Sequence, residues 1–202
     1  MVASHDEEFA QWPASIRRNP RPADNSGQAM EQCVCLGEMI TERLHTWREL
    51  RGPLLPERII IYRDGLSESQ FDMCRNNELA DMIQGMRSMY MKHGQGKPQI
   101  LLVCAVKRHN TRFYGAPGKQ GDRHLQEGDN PVPGTTIFGG VTYGEDQDFF
   151  LISQSAMRGN PKNPSGTVRP THYVVLHNTI PVVSIKDVAD MVSMLPFDKK
   201  KC

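Results

Sequence analysis

Arg58-Ile-Ile-Ile-Tyr-Arg-Asp-Gly-Leu-Ser-Glu-Ser-Gln-Phe71 is the stretch on which the fold turns. Three β-branched residues, Ile59, Ile60 and Ile61, predict a strand buried on both faces, and Asp64-Gly65 supplies the turn that ends it. Ser67 and Gln70 have capping-box spacing, so a helix starts at once. Asp64 is thereby placed on a rigid strand end, at the edge of an α/β sheet where such folds collect their chemistry. A carboxylate there can hold a metal.

Downstream, the helical pattern runs from Ser67 to about His93 with a buried stripe of Phe71, Cys74, Met82, Ile83, Met86 and Tyr90. Pro98-Gln-Ile-Leu-Leu-Val-Cys-Ala-Val-Lys107 is a second apolar strand, and strand, helix, strand in that order predicts a βαβ crossover with parallel pairing. Its far end delivers Lys107 and Arg108. Upstream, Met30, Val34, Gly37, Ile40, Leu44 and Trp47 recur at three- and four-residue steps, predicting an amphipathic helix over about 29–49 that Gly52-Pro53 stops. Residues 17–28 and 115–133 are rich in proline, glycine and charge and read as loops, and further strands are expected at 135–139, 148–154 and 172–178. On that last strand His172 and His177, five apart, point to opposite faces. One α/β domain is the simplest architecture.

At 202 residues, 38% hydrophobic and 23% charged, the chain has the composition of a soluble globular domain. No apolar stretch approaches the roughly 20 residues that cross a bilayer, and the N-terminus lacks the basic-then-apolar pattern of a secretory signal. A cytoplasmic or nuclear protein without membrane partners is expected. The cysteines at 33, 35, 74, 104 and 202 show no CxxC pair, so neither a disulfide framework nor a zinc site is indicated. Net charge is only +1. Between 92 and 123, however, Lys92, Lys97, Lys107, Arg108, Arg112, Lys119 and Arg123 face Asp122 alone. Such a stretch suits a phosphate-contacting face, and equally a solvated basic loop.

The run Tyr62-Arg-Asp-Gly-Leu-Ser-Glu-Ser-Gln-Phe71 resembles the central motif of the Piwi domain of Argonaute proteins. Further stretches resemble that family in the same order: Gln11-Trp-Pro-Ala-Ser-Ile16, Leu36-Gly-Glu-Met39, Lys107-Arg-His-Asn-Thr-Arg-Phe113, Pro133-Gly-Thr-Thr136, Asp148-Phe-Phe-Leu151 and Arg169-Pro-Thr-His-Tyr173. The first two look most like fungal members. The resemblance spans about residues 1–180, leaving 181–202 as a divergent tail, and it implies a partial RNase H-like Piwi fold, a mixed sheet flanked by helices, incomplete at both ends.

Piwi domains that cut RNA use four residues in the order Asp, Glu, Asp, His. Asp64 matches the second aspartate and is the tentative metal ligand. Glu31, 33 residues earlier, matches the glutamate, although a surface glutamate in the first turn of a helix has an ordinary explanation in the helix dipole. The first aspartate and the histidine have no match. Two-metal hydrolysis, with Mg²⁺ or Mn²⁺ as cofactor, needs several carboxylates converging on the ions. An insertion at 160–165 and Ile137-Phe138, where the family carries an aspartate, depart from the pattern as well.

Lys107, Arg108, His109, Arg112 and Arg169 match positions along the family's nucleic-acid channel. Arginine grips a backbone phosphate with two parallel hydrogen bonds, positioning a strand without reading its sequence. The implied partners are a small guide RNA and a complementary target RNA, with silencing-complex proteins beside them. Two structural alternatives stay open: Arg169 in a salt bridge that orders its loop, and Arg63 paired with the Asp64 carboxylate. The resulting expectation is RNA binding without cleavage. The alternatives are an Mg²⁺-dependent RNA-guided endoribonuclease, and a protein-interaction module or inert fragment.

Overall fold

The computed structural model describes residues 1–6, 8–20, 32–120, 123–125, 129–143, 147–154 and 166–194. The chain divides into two compact units, one of residues 1–61, 66–101 and 177–180, the other of 62–65, 102–176 and 181–202. Its elements run α1 (Leu36–Arg51), β1 (Arg58–Asp64), a helical run ending in α2 (Phe71–Met73) and α3 (Leu79–Lys92), β2 (Gln99–Val106), β3 (Gly118–Gln120), β4 (Arg123–Leu125), β5 (Thr136–Ile137), β6 (Asp148–Leu151), β7 (Thr171–Asn178) and α4 (Ile185–Met194). Five strands form one sheet in the order β1-β2-β7-β6-β5, and β3 pairs with β4 as a separate antiparallel ribbon. The α/β class with a mixed sheet flanked by helices is therefore the architecture adopted.

In the first unit α1 packs on α3, and two glycines permit it. A Cβ built on Gly85 would lie 2.3 Å from the carbonyl oxygen of Gly37, so the helix backbones touch where neither carries a side chain. Next to this contact Asp81 of α3 accepts the Gly37 amide at 2.9 Å. That bond satisfies one of the amide donors a helix N-terminus leaves open. It also explains a difference from the sequence expectation: α1 begins at Leu36, not near residue 29, after Cys35 in the left-handed region (φ 60°). Val34 precedes the helix, and Met30 lies outside the described residues.

Gln70 reaches back to the Ser67 amide at 2.9 Å, as the capping-box spacing predicts. Between α2 and α3 the helix widens into one π-turn, Cys74–Glu78. Within that turn Glu78 is buried and accepts the Cys33 amide at 2.7 Å. Of the expected buried stripe, Cys74, Met82, Met86 and Tyr90 are buried, whereas Ile83 is 37% exposed. Leu79, Met82, Met86 and Met89 set the buried face of α3, and at about 100° per residue Ile83 falls just beyond its margin.

β1 also differs from expectation. It is an edge strand, and Ile60 is 38% exposed, so the three isoleucines are not buried on both faces. β2, with a strand on each side, is buried from Ile100 to Val106. In the second unit β5, β6 and β7 are antiparallel, with Phe150 opposite His172 and Asp148 opposite Val174. Part of the 115–133 stretch expected as loop forms the β3–β4 ribbon, whose backbone pairs Lys119 with His124.

Residues 181–202, read from sequence as a tail beyond the domain, contain α4. Ser184 and Asp187 cap it reciprocally, Ser184 N donating to Asp187 Oδ2 at 2.8 Å and Asp187 N to Ser184 Oγ at 3.2 Å. Ile185, Val188, Ala189 and Val192, at i, i+3, i+4 and i+7, are buried, and the helix packs on β6.

Candidate nucleic-acid interface

Three strand ends meet in the second unit. Asp64 closes β1, Lys107 follows β2 directly, and Arg169-Pro170 lead into β7. Two side-chain bonds join them: Lys107 Nζ donates to Asp64 Oδ2 at 2.8 Å, and His109 Nε2 donates to the Pro170 carbonyl at 2.9 Å. A carbonyl oxygen only accepts, so the proton of neutral His109 sits on Nε2. Its Nδ1 is shut off from solvent and has no partner among the described residues.

Burial holds the His109 pKa below its ordinary 6.5. The Pro170 bond pulls the other way, and the positive surroundings of His172, Arg112 and Arg169 add to the lowering. Arg112 and Arg169 therefore stand close enough to His109 to be felt by it. Arg112 is half-buried and donates from Nη1 to the carbonyls of His109 (3.1 Å) and Thr111 (2.7 Å), which shapes its own loop. Arg108 and Arg169 are exposed, and among the described residues neither has a hydrogen-bond or ion-pair partner. The salt bridge that would give Arg169 a purely structural role is not formed there. Arg63 donates to the backbone carbonyl of Asp64 at 2.6 Å, while Lys107 is the cation on its carboxylate.

Behind this surface lies a buried pair that the sequence reading did not single out. His172 Nε2 donates to Asp148 Oδ2 at 2.6 Å, and Asp148 Oδ1 accepts the Tyr143 amide at 2.9 Å. The two side chains are 7% and 1% exposed. The imidazole of His172 stacks on Phe150 at 4.1 Å, and His109 meets the same phenyl edge-on at 5.4 Å. Asp148 and His172 are diagonal neighbours across β6 and β7, on the face that also carries Phe150 and Val174. His172 was legible as inward from the alternation of β7, where His172, Val174 and Leu176 are buried in turn. Its partner depends on register, which the sequence does not carry.

Among the described residues, what surrounds Asp64 does not offer a pair of divalent cations its ligands. Its carboxylate is 61% exposed and already paired with an ammonium group. Among the described residues no three His, Cys, Asp or Glu side chains come together as ligands. Glu31, the other expected catalytic residue, lies outside the described residues, as does the insertion at 160–165. An exposed pair of this kind contributes about 0–1 kcal/mol. Asp64→Asn is therefore expected to change stability by less than about 1 kcal/mol in chemical denaturation.

A family model described as Piwi domain matches residues 1–189. The chain is 38% identical over 180 residues to the protein argonaute of Schizosaccharomyces pombe, covering 89% of this chain and 19% of that protein. It is 34% identical over 176 residues to protein argonaute 2 of Oryza sativa subsp. japonica, covering 87% of this chain and 15% of that one. The chain thus spans a fifth or less of the length of these curated relatives. In fold it is similar to Kluyveromyces polysporus Argonaute solved with a guide RNA, with a TM-score of 0.74 at 23% identity over 98% of this chain and 22% of that one. Motif order, sheet topology and a family match running through nearly the whole chain agree: the chain belongs to the Piwi domain family.

Proposed function

We propose that this domain binds RNA, a guide strand paired with its target, along the edge formed by Lys107, Arg108, Arg112 and Arg169, and that it serves RNA-guided silencing without cutting the strand itself. The observation that carries the reading is the exposure of Arg108 and Arg169, unpaired among the described residues, on two segments that the His109–Pro170 bond ties together. A fork of donors at each position suits backbone phosphates, and sequence is left to base pairing between the strands. The naming of the curated relatives as argonautes, and of a fold neighbour as solved with a guide RNA, supports RNA as the ligand class.

Fluorescence anisotropy with a labelled guide–target duplex tests this. Phosphate contacts release counterions, so affinity falls with salt, and Arg108→Ala is expected to weaken binding of all sequences alike while lowering the logarithmic salt slope by about one. Lys107→Ala has the smaller effect because Asp64 already neutralises Lys107. Asp64→Asn frees that ammonium and tightens binding by about two- to fivefold, within the range of an exposed charge pair. Salt-independent binding, or none, rejects the reading in favour of a protein-interaction module. Guide-dependent cleavage in Mg²⁺ or Mn²⁺ that Asp64→Ala abolishes rejects its non-cutting half.

A further inference from the structure

We infer that His109 acts on RNA indirectly, as a positioning residue that clamps the 107–112 segment to the start of β7 and so holds Arg108, Arg112 and Arg169 as one array. This rests on the RNA-binding reading above. The sequence places His109 among direct phosphate contacts, but neither ring nitrogen is offered to a ligand. Nε2 is committed to the Pro170 carbonyl at 2.9 Å, and Nδ1 is closed off from solvent.

The ring is held from behind as well. It meets Phe150 of β6 edge-on at 5.4 Å, and Phe113 meets the same phenyl at 5.3 Å. Phe150 stacks in turn on His172, whose orientation Asp148 fixes at 2.6 Å. A rigid column thus runs from the sheet interior to the carbonyl one residue after Arg169. The groups facing His109 are His172, Arg169 and the Pro170 carbonyl from the β7 side, Phe150 from β6 with Asp148 beyond His172, and Arg112 and Phe113 from its own segment, with Lys107 and Arg108 adjacent in sequence.

This arrangement gives the role a sign that a phosphate ligand would not have. A proton added at Nδ1 finds no acceptor among the described residues and lies near Arg112, Arg169 and His172. The clamp is therefore fully stabilising above the ordinary pKa of 6.5 and is lost as pH falls through the lower value held in the folded protein. RNA affinity should drop on acidification with the clamp, whereas a directly contacting imidazolium would raise it.

The test measures duplex binding by anisotropy from pH 8 to pH 5.5 for the wild-type chain, His109→Gln and His109→Ala. Hydrogen exchange of residues 107–113 and 169–171 is followed without RNA. Wild-type affinity is expected to fall below pH 6.5 by up to about tenfold per pH unit, the limit one linked proton sets. His109→Gln keeps a donor for the Pro170 carbonyl without a titrating ring, so it retains neutral-pH affinity and loses the acid dependence. His109→Ala weakens binding at every pH and speeds exchange in both segments. Affinity that rises with acid in the wild type and not in His109→Gln overturns the inference and makes His109 a direct ligand. Exchange unchanged in His109→Ala overturns it too, without reference to RNA. If no variant binds RNA while exchange responds as expected, the clamp stands and the RNA-binding reading fails.

Discussion

Alanine at position 85 is expected to destabilise the protein by about 3 kcal/mol, even though alanine is the better helix former by about 1 kcal/mol. The two effects oppose each other, and geometry decides. The added Cβ would sit 2.3 Å from the Gly37 carbonyl oxygen and 2.9 Å from its Cα, and these are backbone atoms that cannot rotate away. α1 must move off α3, loosening the Asp81–Gly37 bond and the packing of two helices on which Met39, Ile40 and Met82 are buried. For a chain of this size the expected fall in melting temperature is about 6–12 °C. Gly96→Ala is the control: nothing stands within 4 Å of its Cβ, so the change should stay within about 0.5 kcal/mol. A Gly85→Ala protein as stable as the control would mean that the helices do not cross at these two residues.

The second large effect is at Asp148. Asp148→Ala removes the acceptor from the Tyr143 amide and from His172 Nε2, and each buried donor left unmatched loses about 1–3 kcal/mol. The expected total is about 3 kcal/mol, measured by chemical denaturation. Asp148→Asn should lie between, because its amide can accept with one end only and presents hydrogens at the other. Removing His172 as well should not add its full single-mutant loss, since the partners share one bond. An additive pair of losses would show that the 2.6 Å contact contributes nothing of its own.

What the sequence made legible is what depends on local pattern. β2 is a run of apolar residues with a strand on each side, and it forms where the run predicts. The Ser67–Gln70 spacing marks the beginning of the helical run, and Asp64 sits at the end of β1 as expected. What failed depends on partners far along the chain. α1 takes its amide cap from Asp81, 44 residues away, so no residue beside its start could mark it. Ile83 falls just beyond the margin of the buried face of α3, a boundary that packing against α1 sets and periodicity does not mark. Of the candidate site, the sequence marked the basic residues but not what holds them. His109–Pro170 and Asp148–His172 are 61 and 24 residues apart, and each is brought together only by strand order and register.

The division into two units has a practical optical consequence. Both tryptophans, Trp12 and Trp47, belong to the helical unit, where their indole nitrogens donate to Phe9 and Leu54 carbonyls. Indole emission therefore reports on residues of the first unit, whereas four of the five tyrosines, Tyr62, Tyr114, Tyr143 and Tyr173, belong to the second. A melt followed by tryptophan emission is weighted toward one unit and a melt followed by tyrosine ellipticity toward the other, so comparing the two curves for a given variant would test whether both units come apart together.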